Sequence, residues 1–151
     1  MSEISTLLQI KNLKVSFNTD NGLISPVDGV SFDIKDGETL SVVGESGCGK
    51  SLTALSIMGL IDKPGRIEEG EILFQNRDLV NVKKSDWHQI RGKELAMIFQ
   101  EPLTSLNPVF TIGNQISESI CLHQKVNKQE AKKRSIELLK RVGISRADKV
   151  Y

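Results

Sequence analysis

The sequence predicts an α/β fold, and three observations predict it. Residues 39–43 are a short, largely apolar run, as a buried strand should be. A glycine-rich turn follows at Gly44, Glu45, Ser46, Gly47, Cys48, Gly49, Lys50 and Ser51, and residues 52–60, beginning at Leu52, have the length and apolar spacing of a helix. Ahead of this unit, residues 8–17 and 30–34 alternate apolar and polar side chains, the period of half-buried strands.

Taken in order, the chain opens with the strand expected at 8–17. Residues 18–22 form a turn, and Asn21-Gly22 is a strong hairpin signal. The alternation at 30–34 then predicts a second antiparallel strand. Asp36-Gly37 turns the chain into the apolar run at 39–43, so antiparallel β leads into an α/β core. After the helix at 52–60, Lys63-Pro64-Gly65 ends the regular structure, and 69–74 reads as a return strand. Ser85 is placed to cap a short helix carrying Trp87. Residues 95–99 are a second buried-strand candidate that ends at Gln100, Glu101 and Pro102. Pro102 and Pro108 enclose a loop. Thr111 is then an N-cap for a helix with Ile112, Ile116 and Ile120 on one face. In the last helix, Asn127 and Glu130 have the spacing of a capping box, worth about 1 kcal/mol. Ala131, Ser135, Leu138, Leu139 and Val142 make its inward stripe, and Gly143 sits where a left-handed stop belongs.

The turn at 44–51 fits G-x-x-x-x-G-K-[ST], the phosphate-binding loop, and its setting between a strand and a helix is the context that pattern requires. The residue types follow from the chemistry. Gly44, Gly47 and Gly49 have no Cβ, so the backbone can bend sharply and approach a compact anion. The loop N–H groups then form a nest, and the unpaired N–H groups and dipole of the following helix add to it. Lys50 is expected to place its ammonium between the β- and γ-phosphates and Ser51 its hydroxyl on Mg²⁺. Cys48 occupies an unconstrained position of the pattern.

Bulk properties narrow the remaining classes. Net charge is +1 and 5% of residues are aromatic, which gives no general pull toward nucleic acid. Lys132, Lys133, Arg134, Lys140 and Arg141 read as a solvated helix face, since no aromatic platform interleaves with them. Two cysteines, Cys48 and Cys121, make no disulfide framework, and a reduced compartment is the default. The first residues lack the form of a signal peptide, and no run of about 18 apolar residues is present to cross a membrane.

Two stretches narrow the P-loop class further. They are residues 42–51, containing the loop, and residues 97–108, Met-Ile-Phe-Gln-Glu-Pro-Leu-Thr-Ser-Leu-Asn-Pro. With the tail at 138–144, they make the whole chain resemble the ATP-binding subunits of ABC transporters, in particular those of oligopeptide and dipeptide importers. The resemblance implies a P-loop NTPase fold of the ABC nucleotide-binding domain type, with an antiparallel β-subdomain and the start of a helical subdomain. The β-subdomain and P-loop core would occupy about 1–102, and the Q-loop extension and the start of the helical subdomain about 103–151. It implies that ATP is held by residues Gly44 to Leu52. It also implies that Gln100 touches Mg²⁺ or the water near the γ-phosphate, where an amide can bond without adding charge. Phe17 sits where the family stacks an aromatic on adenine, although an ordinary strand-core role fits it as well. The implied partners are transmembrane permease subunits, reached through the loop after Gln100 at the cytoplasmic face of the membrane, and a second ATP-binding subunit.

The family's signature sequence, metal-associated Asp, catalytic Glu and switch His do not occur in the 151 residues, and neither His88 nor His123 holds the switch position. The chain stops at Tyr151, about where the signature would be approached. The expectation is therefore the N-terminal part of a longer subunit, incomplete at its C-terminus. It would bind nucleotide weakly and be inactive alone. Without the strand that would flank 39–43, Leu40 and Val42 are expected to be exposed. Three other readings remain open: a non-catalytic nucleotide-binding module, an ABC-type ATPase outside transport, and a GTPase. The last draws on Asn127-Lys128-Gln129-Glu130, a near miss to the guanine reader N-K-x-D.

Overall fold

A computed structural model describes residues 5–101, 105–149 and 151. The chain divides into two compact units, Met1–Trp87 and His88–Tyr151.

The first unit is built on β1 (Thr6–Thr19) and β2 (Gly22–Lys35), joined at the predicted hairpin, with β3 (Gly65–Phe74) and β4 (Arg77–Asp78) completing the sheet. The strand order is β2-β1-β3-β4, and every pair is antiparallel. Leu8, Ile10, Leu13, Val15, Ile72 and Phe74 are buried. The apolar phase on β1 slips by one residue between Ile10 and Leu13, and a bulge absorbs the slip. Asn12 takes a left-handed φ of 48° there, which Asn tolerates better than most residues. Its N–H donates to Ser31 Oγ at 2.8 Å. Opposite, Gly70 has φ 99°, and a Cβ on it would lie 2.6 Å from the carbonyl oxygens of Lys11 and Asn12. The bulge therefore requires a residue without a side chain at 70.

Helix α1 (Lys50–Ile57) begins at the lysine of the turn, as the loop chemistry requires, and ends short of the apolar spacing that runs to residue 60. Gly59 N–H bonds Ser56 O at 3.0 Å and Leu60 N–H bonds Leu55 O at 2.8 Å, the paired bonds of a Schellman stop. Gly59, with φ 61°, packs against the Trp87 ring so closely that a Cβ would overlap it. A short helix α2 (Trp87–Ile90) follows, and the residue immediately before it is Asp86, not Ser85. Ser85 Oγ donates to Asp86 Oδ1 at 2.9 Å.

Two expected strands do not join the sheet. Among the described residues, 39–43 form no strand, and of 95–99 only Leu95 makes a bridge, an isolated one with Arg91. Val43 is 88% and Ile98 98% exposed, and Leu40, Val42 and Phe99 are exposed as well. An apolar run becomes a strand only where a neighbouring ladder takes up its N–H and C=O groups. The described residues supply no such ladder, which matches the exposure expected at Leu40 and Val42.

The second unit contains α3 (Ile112–Gln124) and α4 (Lys128–Arg141), which pack on each other. Both predicted caps form. Thr111 Oγ1 accepts from Asn114 N–H at 3.3 Å, and Asn127 Oδ1 accepts from Glu130 N–H at 2.9 Å. The Glu130 carboxylate accepts from Arg134 Nε at 2.8 Å. That hydrogen bond holds its carboxyl below the usual glutamate range. Ala131, Ser135 and Leu139 are buried as predicted, but Leu138 and Val142 of the same stripe are exposed. One neighbouring helix can cover only part of a face that wide. Ser117 Oγ, Ser135 Oγ and Tyr151 OH link in a hydroxyl chain, with the first two 2.9 Å apart. Gly143 has φ 82° and closes α4 with a second Schellman pair, Gly143 N–H to Lys140 O and Ile144 N–H to Leu139 O. Replacing Asn127 by alanine is expected to cost about 1 kcal/mol of stability in urea unfolding, with serine recovering most of it. An unchanged midpoint would mean that the cap bond is not stabilising.

Candidate functional site

The turn at 44–51 is shaped by two left-handed glycines, Gly47 (φ 85°) and Gly49 (φ 89°). Gly49 is the N-cap of α1, and its carbonyl accepts the first helical bond, from Thr53 N–H at 2.9 Å. Thr53 Oγ1 adds a second bond to the same carbonyl at 3.0 Å. The N–H groups of Lys50, Ser51 and Leu52 precede that first bond, so they belong to the set a helix leaves without an internal acceptor. The loop also has a backing wall. A Cβ on Gly49 would lie 2.6 Å from Pro26 O and 3.0 Å from Val27 Cγ2. Pro26 lies on the edge strand β2, the position in a sheet where proline is tolerated.

Lys50 is half-buried and folds back across the loop. Its ammonium donates to Gly44 O and Glu45 O, both at 2.7 Å, and lies 3.5 Å from Cys48 Sγ. Two strong acceptors fix the cation, while the third donor meets only a weak one, the thiol. A Cβ on Gly44 would lie 2.6 Å from Cys48 Sγ, so a larger residue there would turn the thiol away from Lys50. The loop thus gathers one cation, a helix start and a bent backbone within a few residues. Glu45, Ser46 and Ser51 are exposed and Leu52 is half-buried.

The other predicted residues lie apart from this loop in sequence. Phe17 is half-buried on β1 and pairs with Gly65, whose missing side chain leaves room for the ring. Val27, beside Gly49, pairs with Val15, two residues before Phe17. Gln100 is exposed in the second unit, and Pro102, Leu103 and Thr104 of its motif lie outside the described residues. Asn127 is occupied as a helix cap, which accounts for Asn127-Lys128-Gln129-Glu130 without a guanine site. Sequence reasoning missed two contacts. Pro26 backs the loop from 23 residues upstream, and nothing in local spacing points to it. Gln115 is the other: its side chain bonds the backbone of Asn107, eight residues away.

Comparison with known proteins fits this geometry. The ABC transporter family matches residues 27–151. The oligopeptide transport ATP-binding protein AppD of Bacillus subtilis (strain 168) is 51% identical over 148 residues, covering 97% of this chain and 45% of that protein. The dipeptide transport ATP-binding protein DppD of Lactococcus lactis subsp. cremoris (strain MG1363) is 48% identical over 143 residues, covering 94% and 41%. The chain therefore spans less than half the length of these relatives. Among solved structures, the dimeric structure of a bacterial ABC transporter cassette superposes with a TM-score of 0.77 at 24% identity, covering 92% of this chain and 58% of that one. The same cassette in a post-hydrolysis state bound to ADP and Pi gives 0.78. These two likenesses speak for the cassette fold. With its glycine loop in place and its length matched in this way, the chain belongs to the ABC transporter family and groups with its oligopeptide and dipeptide transport ATP-binding proteins.

Proposed function

We propose that this chain is the ATP-binding part of a subunit that powers uptake of peptides or related solutes. The observation that carries this reading is the Lys50 ammonium pinned by two carbonyls across a loop of left-handed glycines that opens a helix. A phosphate oxygen is a far better acceptor than a thiol for the third Lys50 donor. The N–H groups of Lys50, Ser51 and Leu52 and the glycine bends suit the remaining phosphate oxygens. Glu45, Ser46 and Cys48 border the anion. Among the described residues no three His, Cys, Asp or Glu side chains cluster to hold a metal. The loop pattern assigns Mg²⁺ to the Ser51 hydroxyl and the resemblance alone adds the Gln100 amide, the cation taking most of its ligands from phosphate and water. When bound, the cation bridges and neutralises the terminal phosphates. Phe17 is assigned to the adenine face by the resemblance alone.

In this reading the β-subdomain and P-loop core occupy about 1–102 and the helical part about 103–151. A second ATP-binding subunit completes the nucleotide site. Permease subunits hold the protein at the cytoplasmic face of the membrane, and nucleic acid is not a partner. No described helix is long and apolar enough to cross a membrane. Peripheral attachment through those subunits is part of the same reading. Phosphoryl transfer depends on positioning and charge stabilisation around the attacking water. Gln100 is assigned to the metal or that water, but no residue among these 151 is assigned to polarise the water for attack, so the chain alone is expected to bind ATP weakly and turn over very slowly. The test is co-expression of the complete subunit with its two multi-span membrane proteins, followed by purification and a phosphate-release assay. Joint purification with ATP-dependent phosphate release supports the reading. A complete subunit that releases no phosphate and joins no membrane protein overturns it.

A further inference from the structure

Helix α1 meets distant residues at both of its ends, each time through a glycine. At its start Gly49 lies against Pro26 O and Val27. At its end Gly59 lies against the ring of Trp87, the one tryptophan of the sequence. A Cβ on Gly59 would overlap Trp87 Cζ2 and lie 2.7 Å from Cε2 and 2.9 Å from Cη2, all atoms of the six-membered ring. Trp87 is buried there, as are Ser56 and Met58. The N–H groups of Gly59 and Leu60 bond Ser56 O and Leu55 O, so Gly59 moves with α1 as one body. The two buried hydroxyls of α1 bond within their own helix, Thr53 Oγ1 to Gly49 O at 3.0 Å and Ser56 Oγ to Leu52 O at 2.7 Å. Those bonds do not fix where the helix sits. The contacts at its two ends do.

We propose that Trp87 is a positioning residue for nucleotide binding, its ring being the stop against which α1 is seated. The inference rests on the nucleotide-binding reading above. An α-helix of eight residues is a rod of about 12 Å, at about 1.5 Å per residue. A shift at Gly59 is therefore passed along it to the N–H groups of Lys50, Ser51 and Leu52. Hydrogen bonds from those groups to phosphate weaken steeply as distance and angle depart from their best values. A misplacement of about 1 Å, caused far from the reacting groups, can cost about 100-fold. A wide, flat ring suits the task, because it buries a large area against a bare Cα and holds few rotatable bonds. Trp87 thus acts on the phosphates through Gly59 and the helix, without touching them.

A double-mutant cycle on the complete subunit, read by calorimetry with Mg-ATP, tests this. Gly59→Ala drives a methyl group into the ring and should weaken affinity about tenfold. Trp87→Phe withdraws the outer ring atoms that face Gly59 and should weaken it about threefold. Gly59→Ala combined with Trp87→Phe has room for the methyl. Its affinity should return to within about threefold of wild type, where independent effects would multiply to about thirtyfold. The strain of a side chain at φ 61° is present in both alanine variants, so it cannot produce the rescue. A purely structural contact would move the unfolding midpoint and leave the affinity of the folded protein unchanged. Multiplying effects, or an unchanged affinity in Gly59→Ala, overturn the positioning role and leave the nucleotide reading standing. A wild-type subunit that does not bind Mg-ATP overturns both. Should Gly59→Ala fail to fold, Trp87→Phe alone decides: weakened binding supports the role, and wild-type affinity overturns it.

Discussion

Replacing Lys50 by alanine is expected to weaken Mg-ATP binding roughly 100-fold, about 3 kcal/mol, in calorimetry on the complete subunit. The size follows from what the ammonium does. It is already held across the loop by Gly44 O and Glu45 O, so its ordering cost is met before ATP arrives. A charge-assisted bond to phosphate is worth more than a neutral one, and alanine removes it without leaving a buried charge. The two carbonyls it releases lie in exposed residues and can turn to water, so thermal stability should change little. This separation of affinity from stability is the discriminating feature. Unaltered affinity in a folded Lys50→Ala subunit would remove the basis of the assignment.

The second large effect is expected at Gly49. An alanine there must adopt φ 89°, a conformation that costs an L-residue about 1–2 kcal/mol. Its Cβ would also press on Pro26 O at 2.6 Å and Val27 Cγ2 at 3.0 Å. These neighbours are backbone and a strand side chain, and neither is free to swing away. Loss of about 3 kcal/mol in urea unfolding is the expected outcome, together with loss of nucleotide affinity. Gly47 supplies the control. Its φ is 85°, yet nothing lies within 4 Å of the added Cβ, so Gly47→Ala should cost only the conformational part, about 1 kcal/mol. Equal costs at the two positions would show that the strand behind the loop does not restrain it.

The two glycines also show where sequence reasoning reaches and where it stops. The pattern at 44–51 predicts that both must bend, because the loop chemistry demands positive φ within a few residues. It does not predict that only Gly49 is crowded, because the crowding comes from β2. The same division holds at the other elements. Thr111 and Asn127 cap their helices as expected, because a cap bond spans three residues. The phase slip on β1 and its partner Gly70 were not legible, because a bulge is a relation between two strands. Gln115 looks in sequence like any polar residue on a helix.

Local chemistry, then, was determined by the sequence alone: the glycine bend, the lysine that follows it, the caps and stops of the helices, and the hairpin. Each depends on atoms a few bonds apart, where residue type dictates backbone geometry and hydrogen bonding. Tertiary structure alone decided that 96–99 join no strand, that Pro26 backs the loop, and that Leu138 and Val142 stay uncovered. The physical reason is that burial and strand pairing are properties of neighbours. An apolar run states only that cover is wanted, and which residues arrive to supply it depends on contacts made far along the chain.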